Sequence, residues 1–275
     1  MPWVSKSGKA YNLVYLDTNA LSEISKNQFG CQVGFMKKFP ATQYAPCFSV
    51  YNLREIKQAT KAYEHFIEFF SNYSFLLLVD YRTIIREEML AYNTIYKPNI
   101  ILSAFNYDDV KDQNSFRNLL SNLWNDEFIS QLEIEDQNIK NLAELWGKRR
   151  TPNINNPLFS SRSTKFSNDY QIDNTLLLLH HLEPQWLREN MPILINKFPA
   201  ARVLIFTHFK KIFQANTEVK KNDVFDVMIS SVCPYIEAIV TESNQADVLK
   251  QGRKYIKELN KLSILKLREI RTEYN

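Results

Sequence analysis

Residues 13–20 of the chain are LVYLDTNA, in which four apolar residues are followed by an acid, Asp17. The four residues before Asp17 have the length and apolar character of a strand buried in a parallel sheet. Asp17 ends this run, and the residues TNA lead into a segment compatible with a helix from about Ala20. An acid at such a junction has two interpretations, because it can cap the helix or face a ligand beyond the strand.

Further apolar runs of strand length alternate with helical patterns. We predict strands at residues 12–16, 44–50, 75–79, 238–241 and 263–267. The segments between and after them carry helical signals, such as Ser49 as an N-cap before apolar residues at helical spacing. Strands that alternate with helices are typical of an α/β fold with a parallel sheet, which is the predicted fold class.

The middle of the chain has a different pattern. Residues 100–220 are rich in aromatic residues and helical spacing, with few strand signals. We interpret them as a helical insertion or lobe, with residues 1–99 and 221–275 forming the α/β core. Within the middle, residues 147–168 are rich in Asn, Ser and Pro and contain five basic residues and no acid, which predicts a basic loop.

The composition is that of a globular protein. Of 275 residues, 45% are hydrophobic and 23% are charged, and the net charge of +4 is compatible with a polyanionic partner. Only 5 glycines argue against a Gly-rich phosphate loop. Three cysteines without a CxxC pair indicate a reduced, cytoplasmic setting. No apolar run approaches the roughly 18 residues of a membrane span, and the polar N-terminus does not resemble a signal peptide.

Four carboxylates are predicted to meet at one edge of the sheet. Asp17 and Glu242 directly follow strands. Glu55 lies in the helix after the second strand, and Asp226 lies in the helix before the strand at 238–241. Ligands of parallel sheets bind beyond the carboxyl ends of the strands, and crowded acids repel one another unless a cation lies among them. Hard divalent cations prefer oxygen ligands and promote phosphoryl displacement, so the pattern favours metal-assisted phosphodiester hydrolysis.

The order of these motifs resembles that of PIN-domain nucleases, a family that includes the toxins of many bacterial toxin–antitoxin modules. VYLDTNAL matches the family's opening strand with its Asp, small residue and Asn. SVYNLREI supplies a Ser and, six residues later, a helical Glu. DVMISSVCPYIEAIVT matches the third acid, an apolar helix and a strand that ends in Val-Thr. Glu242 stands at the fourth acidic position, where the family usually has Asp, and the helical middle has no counterpart in compact members.

The resemblance implies a Rossmann-like three-layer α/β/α sandwich and a metal-dependent endoribonuclease that hydrolyses RNA, preferably single-stranded, with Mg²⁺ or Mn²⁺ as cofactor. The implied catalytic and metal-binding residues are Asp17, Glu55, Asp226 and Glu242. Residues expected to support them, or to replace one of them, are Thr18, Asn19, Ser49, Asp223, Thr241 and Asn244. A toxin or antiphage role, an inhibitor or antitoxin protein as partner and a homodimer are further expectations, without a membrane association.

Each acid also has a structural interpretation. Asp17 can cap a helix, and Glu55 follows Asn52 at the spacing of a capping box. Asp226 can complement the start of a helix, and Asp223 competes with it for the role of third acid because the two share a helix face. Glu242 alone is compatible with an ordinary surface acid.

Basic residues in the predicted loop are candidates for binding nucleic-acid phosphates, although an ordinary exposed loop accounts for them almost equally well. These residues are Lys148, Arg149, Arg150, Arg162 and Lys165. Two functional alternatives remain beside the ribonuclease. One is a non-catalytic module that binds nucleic acid or protein on a degenerate PIN-like fold, and the other is a structure-specific DNA nuclease with the same metal chemistry.

Overall fold

The structure of the protein is a computed structural model that describes residues 2–107, 113–154, 166–214 and 218–272. Within these residues the chain forms a seven-stranded sheet with strands in the order β5-β4-β3-β2-β6-β7, and β1 pairs with β2. The strands are β1 (Trp3–Val4), β2 (Ala10–Leu16), β3 (Tyr44–Ser49), β4 (Phe75–Leu78), β5 (Ile101–Phe105), β6 (Ala238–Thr241) and β7 (Ser263–Lys266).

Twelve α-helices are described in the same residue ranges. They are α1 (Thr18–Ser25), α2 (Cys31–Lys38), α3 (Val50–Gln58), α4 (Thr60–Phe70), α5 (Tyr81–Ala91), α6 (Gln113–Leu123), α7 (Asp126–Ile154), α8 (Asn168–Leu182), α9 (Pro184–Asn190), α10 (Pro199–Phe209), α11 (Lys221–Ser230) and α12 (Ser243–Gly252). A π-helical turn, Lys210–Gln214, continues α10. None of the described helices has both the length and the apolar character that crossing a membrane requires.

The sheet is mostly parallel, as the sequence predicted. Strand β2 lies at its centre and pairs in parallel with β3 and β6, so that Val14 lies opposite both Pro46 and Ala238. The pairs β3–β4 and β6–β7 are also parallel, whereas β5 runs antiparallel to β4. The carboxyl ends of β2, β3 and β6 therefore share one edge of the sheet, where ligands of such folds bind.

Helices cover both faces of the sheet. Along β2 the side chains of Leu13 and Tyr15 enter one apolar cluster, and those of Val14 and Leu16 enter another, because successive residues of a strand point to opposite faces. The first cluster receives residues of α5, α7, α8, α10, α11 and α12, and the second receives residues of α1 to α4 and α6. This arrangement is consistent with a Rossmann-like three-layer fold.

The sequence prediction differs from the structure in residues 100–220. Strand β5 lies in this region at the edge of the sheet, and its residues Leu102 and Ala104 are exposed. A strand of 5 residues that is partly exposed gives a weak periodic signal in the sequence. Helix α10 from the same region is buried on almost every side and packs against the sheet domain through Phe206 and Phe209. The proposed boundaries of the insertion at 100 and 220 stay a prediction.

The predicted loop at 147–168 is wrong for its first part, because α7 continues to Ile154. Buried residues at helical spacing, Leu132, Ile139, Ala143 and Trp146, hold α7 against the rest of the protein up to the start of this segment. Lys148 is exposed on the same helix. Arg149 and Arg150 also belong to α7, but their side chains lie outside the described part, as do Arg162 and Lys165 altogether.

Candidate active site

The carboxyl ends of β2, β3 and β6 border a cleft of about 400 Å³, which is named the acidic cleft. Four acids reach it from four parts of the chain, and they are the four that the sequence singled out: Asp17, Glu55, Asp226 and Glu242. Thr18, Asn19 and Ser49 line it as well. Thr241 is buried below the cleft, and Asp223 and Asn244 do not line it.

Asp17 is the most firmly held of the four acids. It is the N-cap of α1, and its Oδ1 accepts the backbone N–H of Ala20 at 2.7 Å. Its Oδ2 accepts the Thr241 hydroxyl at 2.6 Å and the Glu242 backbone N–H at 2.9 Å. The cap and the cleft position therefore coexist, and the two interpretations of Asp17 do not exclude each other.

Asp17 is only 7% exposed, and this burial is energetically important. Burial raises the pKa of Asp17 to about 6, and the negative charge of Asp226 adds to the increase. The hydrogen bonds from Thr241, Ala20 and Glu242 act in the opposite direction but do not cancel it. Among the described residues, no Lys or Arg forms an ion pair with the Asp17 carboxylate, so its ionised form is costly in this environment.

Asn52 organises the wall between Thr18 and Ser49. Its Oδ1 accepts hydrogen bonds from the Tyr15 hydroxyl at 2.7 Å and the Ser49 hydroxyl at 2.6 Å. Its Nδ2 donates to Thr18 Oγ1 at 2.9 Å, which ties α3 to α1. Ser49 is the N-cap of α3 and forms a capping box with Asn52, so the capping box predicted between Asn52 and Glu55 is wrong.

Glu55 and Glu242 contribute freer carboxylates. Glu55 is half-buried on α3, and its carboxylate makes no hydrogen bond or ion pair with the described side chains and backbone groups. Glu242 is exposed, and its Oε1 accepts a hydrogen bond from the Asn19 amide. Asn244 is exposed on the first turn of α12 and does not line the cleft. Within the described residues, no hydrogen bond links its side chain to the cleft acids, and its supporting role stays a prediction.

A lysine that the sequence analysis did not select lies behind the cleft. Lys211 is 4% exposed, and its Nζ lies 2.6 Å from Asp226 Oδ2 and 3.3 Å from Asp223 Oδ1. It belongs to the π-helical turn after α10, and such turns often occur at functional sites. The available signal was a cation inside the apolar helical run IFTHFKKIF, which is unusual unless the charge is paired.

Asp226 lines the acidic cleft, whereas Asp223, the alternative third acid, does not. Asp223 accepts the Lys220 backbone N–H at 2.8 Å in the first turn of α11 and does not line the cleft, so it takes the capping role. Asp226 lies one turn further along and lines the cleft. Burial, with repulsion from Asp223 and Glu242, raises the pKa of Asp226, although Lys211 opposes the increase. Burial disfavours the charge of Lys211, but the two aspartates outweigh it and raise its pKa.

The oxygen donors suit a hard divalent cation in kind. Asp226 Oδ1, Glu242 Oε2 and both oxygens of Glu55 accept no hydrogen bond from the described residues. However, no three acidic, His or Cys side chains in these ranges lie close enough together to form a ready-made metal site. A divalent ion enclosed by side chains is therefore not compatible with this arrangement, and an ion such as Mg²⁺ could use these donors only if it kept most of its water and took few protein ligands.

The site thus combines a buried acid of raised pKa, three further carboxylates and an internal ammonium group. Groups with perturbed pKa values in a cleft are typical of functional sites, although structural ion pairs produce the same effect. Of the basic residues predicted to bind phosphates, Lys148 is the one whose side chain is described, and it does not line the cleft. Comparisons of the chain with models of protein families, with curated proteins and with solved structures found no match.

Proposed function

We propose that this protein is a metal-dependent endoribonuclease on a PIN-like fold. The observation that supports the proposal most is the convergence on one cleft of Asp17, Glu55, Asp226 and Glu242, with Asp17 buried and its pKa raised. Keeping a carboxylate there costs free energy of folding, because burial and like charges both disfavour ionisation. A polyanionic substrate would not enter such a cleft without cations, so divalent metal explains both features.

The proposed ion, Mg²⁺ or Mn²⁺, would be held by Asp17, Glu55 and Asp226 directly or through water, and Glu242 would complete the site. Once bound, it would supply an activated water and neutralise charge on the phosphate. The protein's own contribution is orientation. The donors from Ala20 and Thr241 fix the Asp17 carboxylate, and Asn19 restrains Glu242. Lys211 contacts Asp226 at 2.6 Å and opposes the increase in the pKa of Asp226.

The test is cleavage of labelled single-stranded RNA, with single-stranded DNA beside it, in Mn²⁺, Mg²⁺ and EDTA. We expect metal-dependent cleavage of RNA that is lost in Asp17→Asn and in Asp226→Asn. Asp247→Asn is the matched control, because Asp247 is an exposed acid paired with Lys266 outside the cleft. Cleavage that survives in EDTA, or equally in both cleft variants, contradicts the proposal. Preferential cleavage of DNA would favour the DNA nuclease instead.

One observation favours a second candidate, a non-catalytic binding module. Asp226 already has a cation partner in Lys211, and the described acids do not form a ready-made metal site. On this hypothesis the acids have structural roles and no metal binds. Calorimetric titration with Mn²⁺ separates the two candidates, because the nuclease requires binding that Asp17→Asn weakens.

A cellular role as a toxin or antiphage effector follows from the proposed activity, because unrestrained RNA cleavage stops growth. We expect expression of the wild type alone to slow bacterial growth and Asp17→Asn to relieve the effect. Growth that stays normal, with folded and active enzyme in the cells, would indicate a narrow substrate rather than a toxin held by an inhibitor.

A further inference from the structure

A second concave site lies beside the acidic cleft on the same edge of the sheet. This side pocket has a volume of about 520 Å³ and lies between the start of α3, the end of β4, the first turns of α5, strand β5 and helix α7. Its volume falls in the range of about 300–1,000 Å³ that is typical of pockets for small organic groups. Because β3 and β4 are parallel neighbours, the side pocket and the cleft lie next to each other along the sheet.

Tyr51 connects the two sites. It is the second residue of α3, and it lines both the acidic cleft and the side pocket. Its ring packs against Phe225, which also lines the acidic cleft, with 5.3 Å between ring centroids. The side pocket and the acidic cleft therefore adjoin at Tyr51.

The walls of the side pocket are apolar, and part of this apolar surface is exposed. Leu78, Leu102, Leu132 and Ile134 line it together with Phe128. Leu102 is 51% exposed and Ile134 is 61% exposed. Large aliphatic side chains at such exposure around one concavity indicate a ligand surface, because single scattered exposed residues would not form a lined pocket.

Polar groups at the rim suit a nucleotide better than a purely apolar ligand. Gln131 is exposed and makes no hydrogen bond within the described part of the chain, so its amide is available to the edge of a base. Arg86 also lines the pocket, in an ion pair with Glu183 whose two side chains are 48% and 45% exposed. Exposed ion pairs of this kind are weak, so a phosphate can compete for the guanidinium. Arg82 is held more firmly, by Glu135 at 2.7 Å.

We propose that the side pocket binds an unpaired nucleobase of the nucleotide next to the phosphate in the acidic cleft. This inference rests on the proposed function and specifies its substrate. The base packs among the apolar walls, and Arg86 contacts the neighbouring phosphate. A base in a duplex is stacked and paired and cannot enter, so the substrate is single-stranded at this position.

The test measures binding without cleavage, with the full-length protein that keeps all four cleft acids and with Ca²⁺, which also takes oxygen ligands, in place of Mn²⁺. The probes are a fluorescein-labelled RNA decamer of uridine and a ribose–phosphate decamer with hydrogen in place of every base. The protein variants add Ile134→Glu or Leu102→Glu, both exposed positions in the pocket. The matched control is Ile129→Glu, which places the same charge on α7 outside the pocket lining.

We expect the uridine decamer to bind more tightly than the abasic one, and Ile134→Glu and Leu102→Glu to remove that difference. The expected loss is about tenfold in Kd for the uridine decamer, because the introduced charge disfavours the apolar contacts of one base. Ile129→Glu should change both affinities equally and slightly. Equal binding of the two decamers, absence of binding, or equal effects of Ile134→Glu and Ile129→Glu would overturn the proposal.

The two proposals fail separately. If the wild type cleaves RNA and the base makes no difference to binding, the side pocket is not a base site and the nuclease stands. If binding depends on the base and on Ile134 while no substrate is cleaved, the pocket stands and the catalytic proposal falls.

Discussion

Replacing Asp17 with Asn tests whether the ionised Asp17 carboxylate lowers the free energy of unfolding of the protein. Asp17 ionises with a pKa of about 6 in the folded protein, against 3.8 as its ordinary value. The folded state therefore binds more protons than the unfolded state between these two pH values. By linkage, wild-type stability falls as pH rises from about 4 through about 6 and then stays level with respect to this group.

The magnitude follows from the pKa difference. Each pKa unit corresponds to 1.36 kcal/mol, so ionised Asp17 costs about 3 kcal/mol of folding free energy above pH 7. Asn removes this cost, because its side chain is uncharged. However, the NH2 group of Asn takes the place of Asp17 Oδ2, so the Glu242 backbone N–H loses its acceptor at a cost of about 1–3 kcal/mol. Asp17→Asn is therefore expected to equal the wild type or exceed it by up to about 2 kcal/mol at pH 7.5.

The assay is urea denaturation of both proteins in EDTA, at several pH values from 4.0 to 7.5. The unfolding free energy of Asp17→Asn minus that of the wild type should rise by about 2–3 kcal/mol over this range. Asp247→Asn is the control, because a hydrogen bond from Lys266 keeps the pKa of Asp247 below its ordinary value and gives a trend of opposite sign. A difference for Asp17→Asn that is constant within about 0.5 kcal/mol would refute the reasoning.

Three further predictions concern charged groups outside the acids of the cleft. Lys211→Met should lower the unfolding free energy measured by urea denaturation at pH 7.5 by about 2–4 kcal/mol, because Asp226 loses its cationic partner. The control is the neighbouring Lys210→Met, which should have little effect. Burial raises the pKa of Glu88 to about 8, so wild-type stability should fall by up to about 5 kcal/mol between pH 4.5 and 8, and Glu88→Gln should flatten this slope in pH-dependent thermal melts. A slope unchanged in Glu88→Gln would contradict that assignment. Arg86→Ala should weaken RNA binding severalfold at low salt, with the folded fraction unchanged. It should also reduce the slope of log Kd against log salt concentration by about one released counterion. An unchanged slope would exclude a contact between Arg86 and a phosphate.

Local sequence was enough to predict the elements that bear the acids. Strand β6 has the predicted bounds, and β3, β4 and β7 end within one residue of them. Ser49 is the predicted N-cap. These features depend on apolar runs and on residues within one helical turn, which a single sequence contains. The parallel order of the strands then follows from their alternation with helices, and it brings Asp17 and Glu242 to one edge.

Strand β5 and the length of α7 were not predicted, for opposite reasons. β5 is short and pairs only with β4 in the described part, so its strand character comes from its partner rather than its own periodicity. In α7, packing through Trp146 extends a helix into residues whose composition indicates a loop. Local propensity is a weak term, and tertiary contacts of this size override it.

The sequence by itself determined which acids stand at strand ends and helix starts, because those positions follow from local patterns. Only the tertiary structure decided what surrounds them. Lys211 is 15 residues from Asp226, and Asn52 is 34 residues from Thr18, yet each pair is in hydrogen-bond contact. Such contacts depend on how the helices pack on the sheet. The burial that sets the pKa of Asp17 is a property of the assembled core, which no short stretch of sequence contains.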